Sequence, residues 1–238
     1  MANAVKKNIM ISVDIISIAD SLKRFAEAVN HVGKWEKAIR KLVENQYVFT
    51  DPITNEMIER ILSADEVDTE VEAYFHKDNC KHLNELIGRC KKDLKENCNY
   101  ELFIQSIEAY KSNSFQLACV GLFVITDGLL SIVSKQISPS FKRRLNTIKN
   151  KFDEATELEP IDQKIVSISL ALERIDASIF VTHDFHEEEL DCVNRHWTLH
   201  GRSKREYLFT DVIKVLLWID ALLFIQNIDF IEGKEKEQ

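Results

Sequence analysis

The stretch that decides the fold runs from Phe115 to Val133 and reads FQLACVGLFVITDGLLSIV. Ser114 stands before it as an N-cap candidate. Leu117, Gly121, Val124, Ile125, Gly128 and Ile132 then recur at i, i+4, i+7, i+8, i+11 and i+15, the spacing of one helical face. This predicts a long helix with a wide buried stripe. Val212 to Ile228 is a second apolar run, and both are long enough to need a membrane check. Asp127 lies at the centre of the first run, and Lys214 and Asp220 lie in the second. Each charge would cost at least ~2.5 kcal/mol inside a bilayer. Both runs are therefore expected to be core helices of a soluble protein that has no membrane partner.

Working outward, the composition favours helices throughout. The 238 residues are 45% hydrophobic, enough for a substantial core, yet include only six Gly and three Pro (Pro52, Pro139 and Pro160). A sheet protein with many hairpins, or a glycine-rich phosphate loop, would need more turn formers. Five cysteines (Cys80, Cys90, Cys98, Cys119 and Cys192) are odd in number and contain no CxxC pair, so neither a disulfide framework nor a zinc ribbon is indicated. Reduced thiols in a cytoplasmic protein are expected. The apolar run Ile9 to Val13 stops at Asp14, too short for a secretory segment.

Helical spacing covers 12–30 and 33–45 (Trp35, Ile39 and Leu42 in the second), then 54–63, 67–77, 80–96 and 100–111. Pro139 and Pro160 open helices at 140–155 and 160–180. A further helix is expected from His183 through Leu190 and Val193 to Leu199, with Gly201 as its left-handed C-cap, and an apolar helix spans 205–230 through Leu208, Val212 and Leu216. The polar stretch Glu96 to Asn99 divides a helical accessory region, 1–97, from a helical bundle, 98–231, and 232–238 form a charged, frayed tail.

Chemistry concentrates in Asn194-Arg195-His196-Trp197-Thr198-Leu199-His200-Gly201. A fixed cation beside an imidazole suits metal-free RNA cleavage: the imidazole exchanges a proton with the 2′-hydroxyl or the leaving oxygen, and the guanidinium stabilises the phosphate. Positions five apart diverge by about 140° on a helix, so Arg195 and His200 converge only at a fraying end or across two copies. His196 and His200, at i and i+4, share a face.

These residues resemble the HEPN superfamily of helical bundles, whose motif is Arg, a polar residue, three variable residues and His. Arg195-His196-Trp197-Thr198-Leu199-His200 is similar to it throughout, and Asn194 and Gly201 extend the likeness to a bacterial and phage-associated subset. Phe115-Gln116-Leu117-Ala118 with Ile125-Thr126-Asp127-Gly128-Leu129-Leu130 resembles that subset's upstream helix, and the likeness spans about 98–228. The resemblance implies a four- or five-helix bundle, all-α, and a homodimer whose protomers complete one composite site. It implies metal-independent endoribonuclease activity in a toxin–antitoxin or phage-defence setting, with no cofactor and with an antitoxin or defence-system partner. Arg195 would bind the scissile phosphate and His200 would be the general acid or base. His196 would assist, Asn194 would orient the site, and Asp127 would hold Arg195 or His200.

The net charge of −8 excludes a globally basic RNA-binding surface, so any RNA contact is local. Two patches are candidates: Lys142, Arg143 and Arg144, with Lys149 and Lys151, and then Arg202, Lys204 and Arg205. Two rival readings remain. One is a catalytically silent bundle that binds RNA, nucleotides or a protein. The other is a metal hydrolase built on His183, His186, His196 and His200 with Glu187, Glu188 or Asp191, although Trp197 stands where a zinc protease needs Glu. His31, His76 and His82 show no spacing that argues for chemistry.

Overall fold

The computed structural model describes residues 33–95, 99–136, 140–156, 163–174, 179–182 and 184–235. All regular structure among them is helical. The first helix, α1, occupies 33–44 and buries Trp35, Ile39 and Leu42, the face its spacing predicts. It is followed by α2 (Asn55–Ser63), α3 (Val67–Asp93), α4 (Tyr100–Lys111), α5 (Phe115–Ser134), α6 (Phe141–Thr156), α7 (Gln163–Glu173), α8 (Arg195–Leu199) and α9 (Phe209–Glu235). The expected helix at 12–30, the seam residues Glu96 to Cys98, Pro139, Pro160, His31 and His183 lie outside the described residues.

Local chemistry accounts for most boundaries. Thr54 caps α2, its hydroxyl accepting from Met57 N at 3.2 Å. α3 is broken inside: Lys77 is extended, and Asp78, Asn79 and Cys80 all have left-handed backbone (φ 51°, 56° and 61°). The two helices expected at 67–77 and 80–96 therefore occur as two arms of one kinked element. Ser114 precedes α5, but its hydroxyl makes no capping bond.

α5 and α9 form the centre. α5 packs against α4, α9, α6 and α8, and α3 packs on α9, so α1 to α3 share one hydrophobic core with the later helices. From Asp211 to Leu223 every residue of α9 is buried. Each large apolar side chain removed from water there contributes about 1.5–3 kcal/mol. Gly121 lets α4 approach α5, because a Cβ there would strike the Ser106 hydroxyl.

Two expectations about these helices need correction. Of the predicted stripe Gly121 and Ile125 are buried, but Leu117, Val124 and Ile132 are 64%, 43% and 38% exposed, and Ala118, Leu122, Leu129 and Val133 complete the core face. α5 is apolar on nearly every side, so periodicity alone could not choose its inward face. Leu208 is also exposed, because α9 starts one residue later, where the Asp211 carboxylate accepts from Leu208 N at 2.8 Å. Among the described residues α5 is the one helix long and apolar enough to cross a membrane, and 61% of its apolar window is buried. The charges of α9 are partnered: Lys214 Nζ lies 3.0 Å from Asp68, and Asp220 meets Arg89 at 3.2 Å. α9 extends to Glu235, so 232–235 are helical.

Candidate functional site

The helix expected from His183 to Leu199 is not formed: 184–194 are turn and loop, and α8 is a single turn of five residues. The reason lies in side chains that hold the loop from outside. Glu189 accepts from Lys204 N at 2.7 Å and from the Ser203 hydroxyl, tying the strand of chain before α8 to the one after it.

Asn194 starts α8. Its side-chain oxygen accepts from Trp197 N at 3.1 Å while its amide donates to Val181 O at 2.9 Å, and it is 97% buried, with 3% relative exposure. Arg195 N donates to Ile179 O at 2.8 Å. Thr198 bonds back to Asn194 O at 2.6 Å and meets the Tyr207 hydroxyl at 2.9 Å. His200 is the C-cap and Gly201 follows with φ 63°, the left-handed cap expected of it.

This short turn sends Arg195 and the two histidines in different directions. The Arg195 guanidinium reaches α5 and pairs with Asp127 Oδ1 at 2.9 Å. The same oxygen receives Arg144 Nη2 from α6 at 2.8 Å. Arg144 also donates to the Asp127 carbonyl at 3.1 Å and to the Ser131 hydroxyl at 2.6 Å. Asp127 thus joins α5, α6 and α8. Its side chain is 36% exposed and that of Arg195 is 20% exposed, so solvent reaches the pair.

His196 and His200 lie 4.7 Å apart, centroid to centroid, on the same face. Phe185 organises them: His196 stacks on it at 4.4 Å and 6°, His200 meets it edge-on at 5.5 Å, and Trp197 closes from the side at 5.2 Å. Arg202 lies over the same ring at 4.8 Å. Phe185 had no sequence signal, because a lone aromatic in a polar loop does not announce a platform. Partial burial, then the charge of His200 and that of Arg195, hold His196 below the ordinary imidazole value. The shift favours the neutral imidazole, the form able to accept a proton. Trp197 is buried, and its indole N–H has no acceptor among the described residues.

The basic patches are reduced. Arg144 is 6% exposed and committed to Asp127, and Arg205 is paired at 2.8 Å with the buried Asp211, so neither belongs to an open RNA surface. Their guanidinium groups are enclosed by the acids that need them. Lys142, Arg143, Arg202 and Lys204 remain exposed. Among the described residues no group of three His, Cys, Asp or Glu side chains is disposed to hold a metal ion. No family model, curated protein or solved structure matches this chain.

Proposed function

We propose that the chain is a HEPN-like, metal-independent endoribonuclease. The observation that carries this reading is the 2.9 Å pair of Arg195 with a solvent-accessible Asp127, on the same turn that sets His196 and His200 at 4.7 Å. Asp127 restrains the guanidinium without burying it, so a phosphate can share or replace the carboxylate. One imidazole takes the 2′-hydroxyl proton, the 2′-oxygen attacks phosphorus, the P–O5′ bond breaks, and His200 protonates the leaving 5′-oxygen. The products are a 2′,3′-cyclic phosphate and a free 5′-hydroxyl. Exposed Arg202 and Lys204 flank α8 and would hold adjoining phosphates.

The working unit in this reading is a cytoplasmic homodimer, held in check by an antitoxin or defence-system partner. Leu117, Val124 and Ile132 form an exposed apolar stripe on α5, with Asp127 one turn on from Val124, and a second copy covering that stripe would bring two sites towards each other. Incubating a mixed RNA pool with the protein in excess EDTA tests the chemistry. Fragments ending in 2′,3′-cyclic phosphate are expected; fragments that appear only when divalent metal is restored would overturn the proposal. The silent binding module is favoured by one observation, the engagement of Arg195 by Asp127, together with the net charge of −8. Intact RNA, retained by the wild type and released by Arg195→Ala, would select it.

A further inference from the structure

The kink of α3 brings three side chains into a row that the helix would otherwise only stack. Cys80 Sγ lies 3.8 Å from His76 Nδ1, and His76 Nε2 lies 3.5 Å from Glu72 Oε1. The order thiol, imidazole, carboxylate is that of a nucleophile, its base and the group that orients the base. His76 is also fixed from the side, stacked on Phe209 at 4.4 Å and 24°. Cys80 sits third in the left-handed run Asp78 to Cys80, a backbone that a side chain of its kind rarely adopts.

Glu72 and His76 open into a cavity of about 650 Å³ formed where α3 meets the C-terminus of α4 and the starts of α5 and α9. This is within the range of small-molecule sites. Tyr110, Phe115 and Phe209 supply apolar walls and Lys111 a cation. Cys80 does not itself line the cavity but adjoins it through His76, which does, with Sγ 3.8 Å from the imidazole Nδ1. The buried Cys90 and Cys119 differ: desolvation raises both thiols well above their ordinary value.

We propose that Cys80, His76 and Glu72 form a nucleophilic thiol site that accepts an acyl group from an ester or thioester held in this cavity. As Sγ attacks the carbonyl carbon, the thiol proton passes to His76 Nδ1 and Glu72 stabilises the imidazolium. The bond from that carbon to the leaving alcohol or thiol then breaks, and the leaving group takes the proton from His76. S-acyl Cys80 and a free alcohol or thiol result, with no change of oxidation state. The apolar walls fit an aryl or short alkyl acyl donor, and Lys111 suits one with an anionic tail.

The test uses the full chain with p-nitrophenyl acetate at pH 7, following acetylation of each cysteine by peptide mapping, with N-acetylcysteine as reference thiol. Cys80 is expected to acetylate at least about tenfold faster than the reference. His76→Phe, which keeps the stack on Phe209, should slow Cys80 by about a hundredfold with the helical spectrum unchanged. Glu72→Gln should slow it less, and it serves as the second variant should His76→Phe not fold. Acetylation of Cys80 no faster than the reference, acetylation that is unchanged in the folded variants, or label found only on other cysteines would overturn the proposal.

Discussion

Asp127 and Asp220 occupy comparable positions: each is an acid within a long apolar helix, α5 or α9, and each meets arginine from another element. Their surroundings differ. Asp220 is 9% exposed at the side chain and is closed in by Arg89, the Thr50 hydroxyl and Cys90 Sγ at 3.9 Å, while Arg89 is held in turn by Asp51 at 2.6 Å. Asp127 is 36% exposed and binds one deeply buried arginine, Arg144, and one that solvent reaches, Arg195. A closed acid whose hydrogen bonds all go to its own chain holds helices together. An acid with one open side holds a cation where a ligand can compete for it, and in the proposed reading that difference separates scaffold from site.

The sharpest way to break this contrast is to remove each acid. Asp220→Ala removes the acceptor of the buried Thr50 hydroxyl and one of the two acids on Arg89, which keeps Asp51 at 2.6 Å, and a loss of about 2–3 kcal/mol is expected, read as a fall in Tm. Asp127→Asn should cost only about 1–2 kcal/mol, since solvent screens the pair, while cleavage of RNA falls by about a hundredfold because Arg195 is no longer aimed. If the two substitutions cost equal stability and the second spares activity, the distinction fails. Leu117→Glu with Val124→Glu alters only exposed positions, so stability should stay within about 0.5 kcal/mol. In the proposed dimer the pair of changes should yield monomers by light scattering.

The smallest expected effect is that of pH through His196. Its folded pKa lies below the unfolded value of about 6.5, so the unfolded chain binds more protons between the two. Stability present above pH 6.5 is therefore lost as pH falls through the folded pKa. His196→Phe, which keeps the ring on Phe185, should flatten that acid limb in thermal melts taken between pH 7 and 5; an unchanged limb would show that another group governs it.

The all-α class and most helices were legible in the sequence, because low Gly and Pro content and helical spacing left few alternatives. α4 runs from Tyr100 to Lys111 as its pattern requires, and α1 buries the side chains its spacing selects. The segment before α8 was misread because Leu190 and Val193 mimic a helical face, whereas long-range bonds from Glu189 and Asn194 dictate a loop. The inner face of α5 was legible only at Gly121 and Ile125, for the opposite reason: a helix apolar all round offers no contrast. Arg195 and Asp127 could be paired from sequence only through a resemblance, since 68 residues separate them. The Glu72, His76 and Cys80 spacing is visible at i, i+4 and i+8, but only the left-handed residues at the kink give it meaning.

The central claim rests on Arg195 and His200, and one measurement reaches it most directly: RNA cleavage in excess EDTA by the wild type, Arg195→Ala and His200→Ala, each verified as folded. The account predicts chelator-resistant cleavage by the wild type and a loss of at least about a hundredfold in each variant. Cleavage that persists in both variants would contradict it.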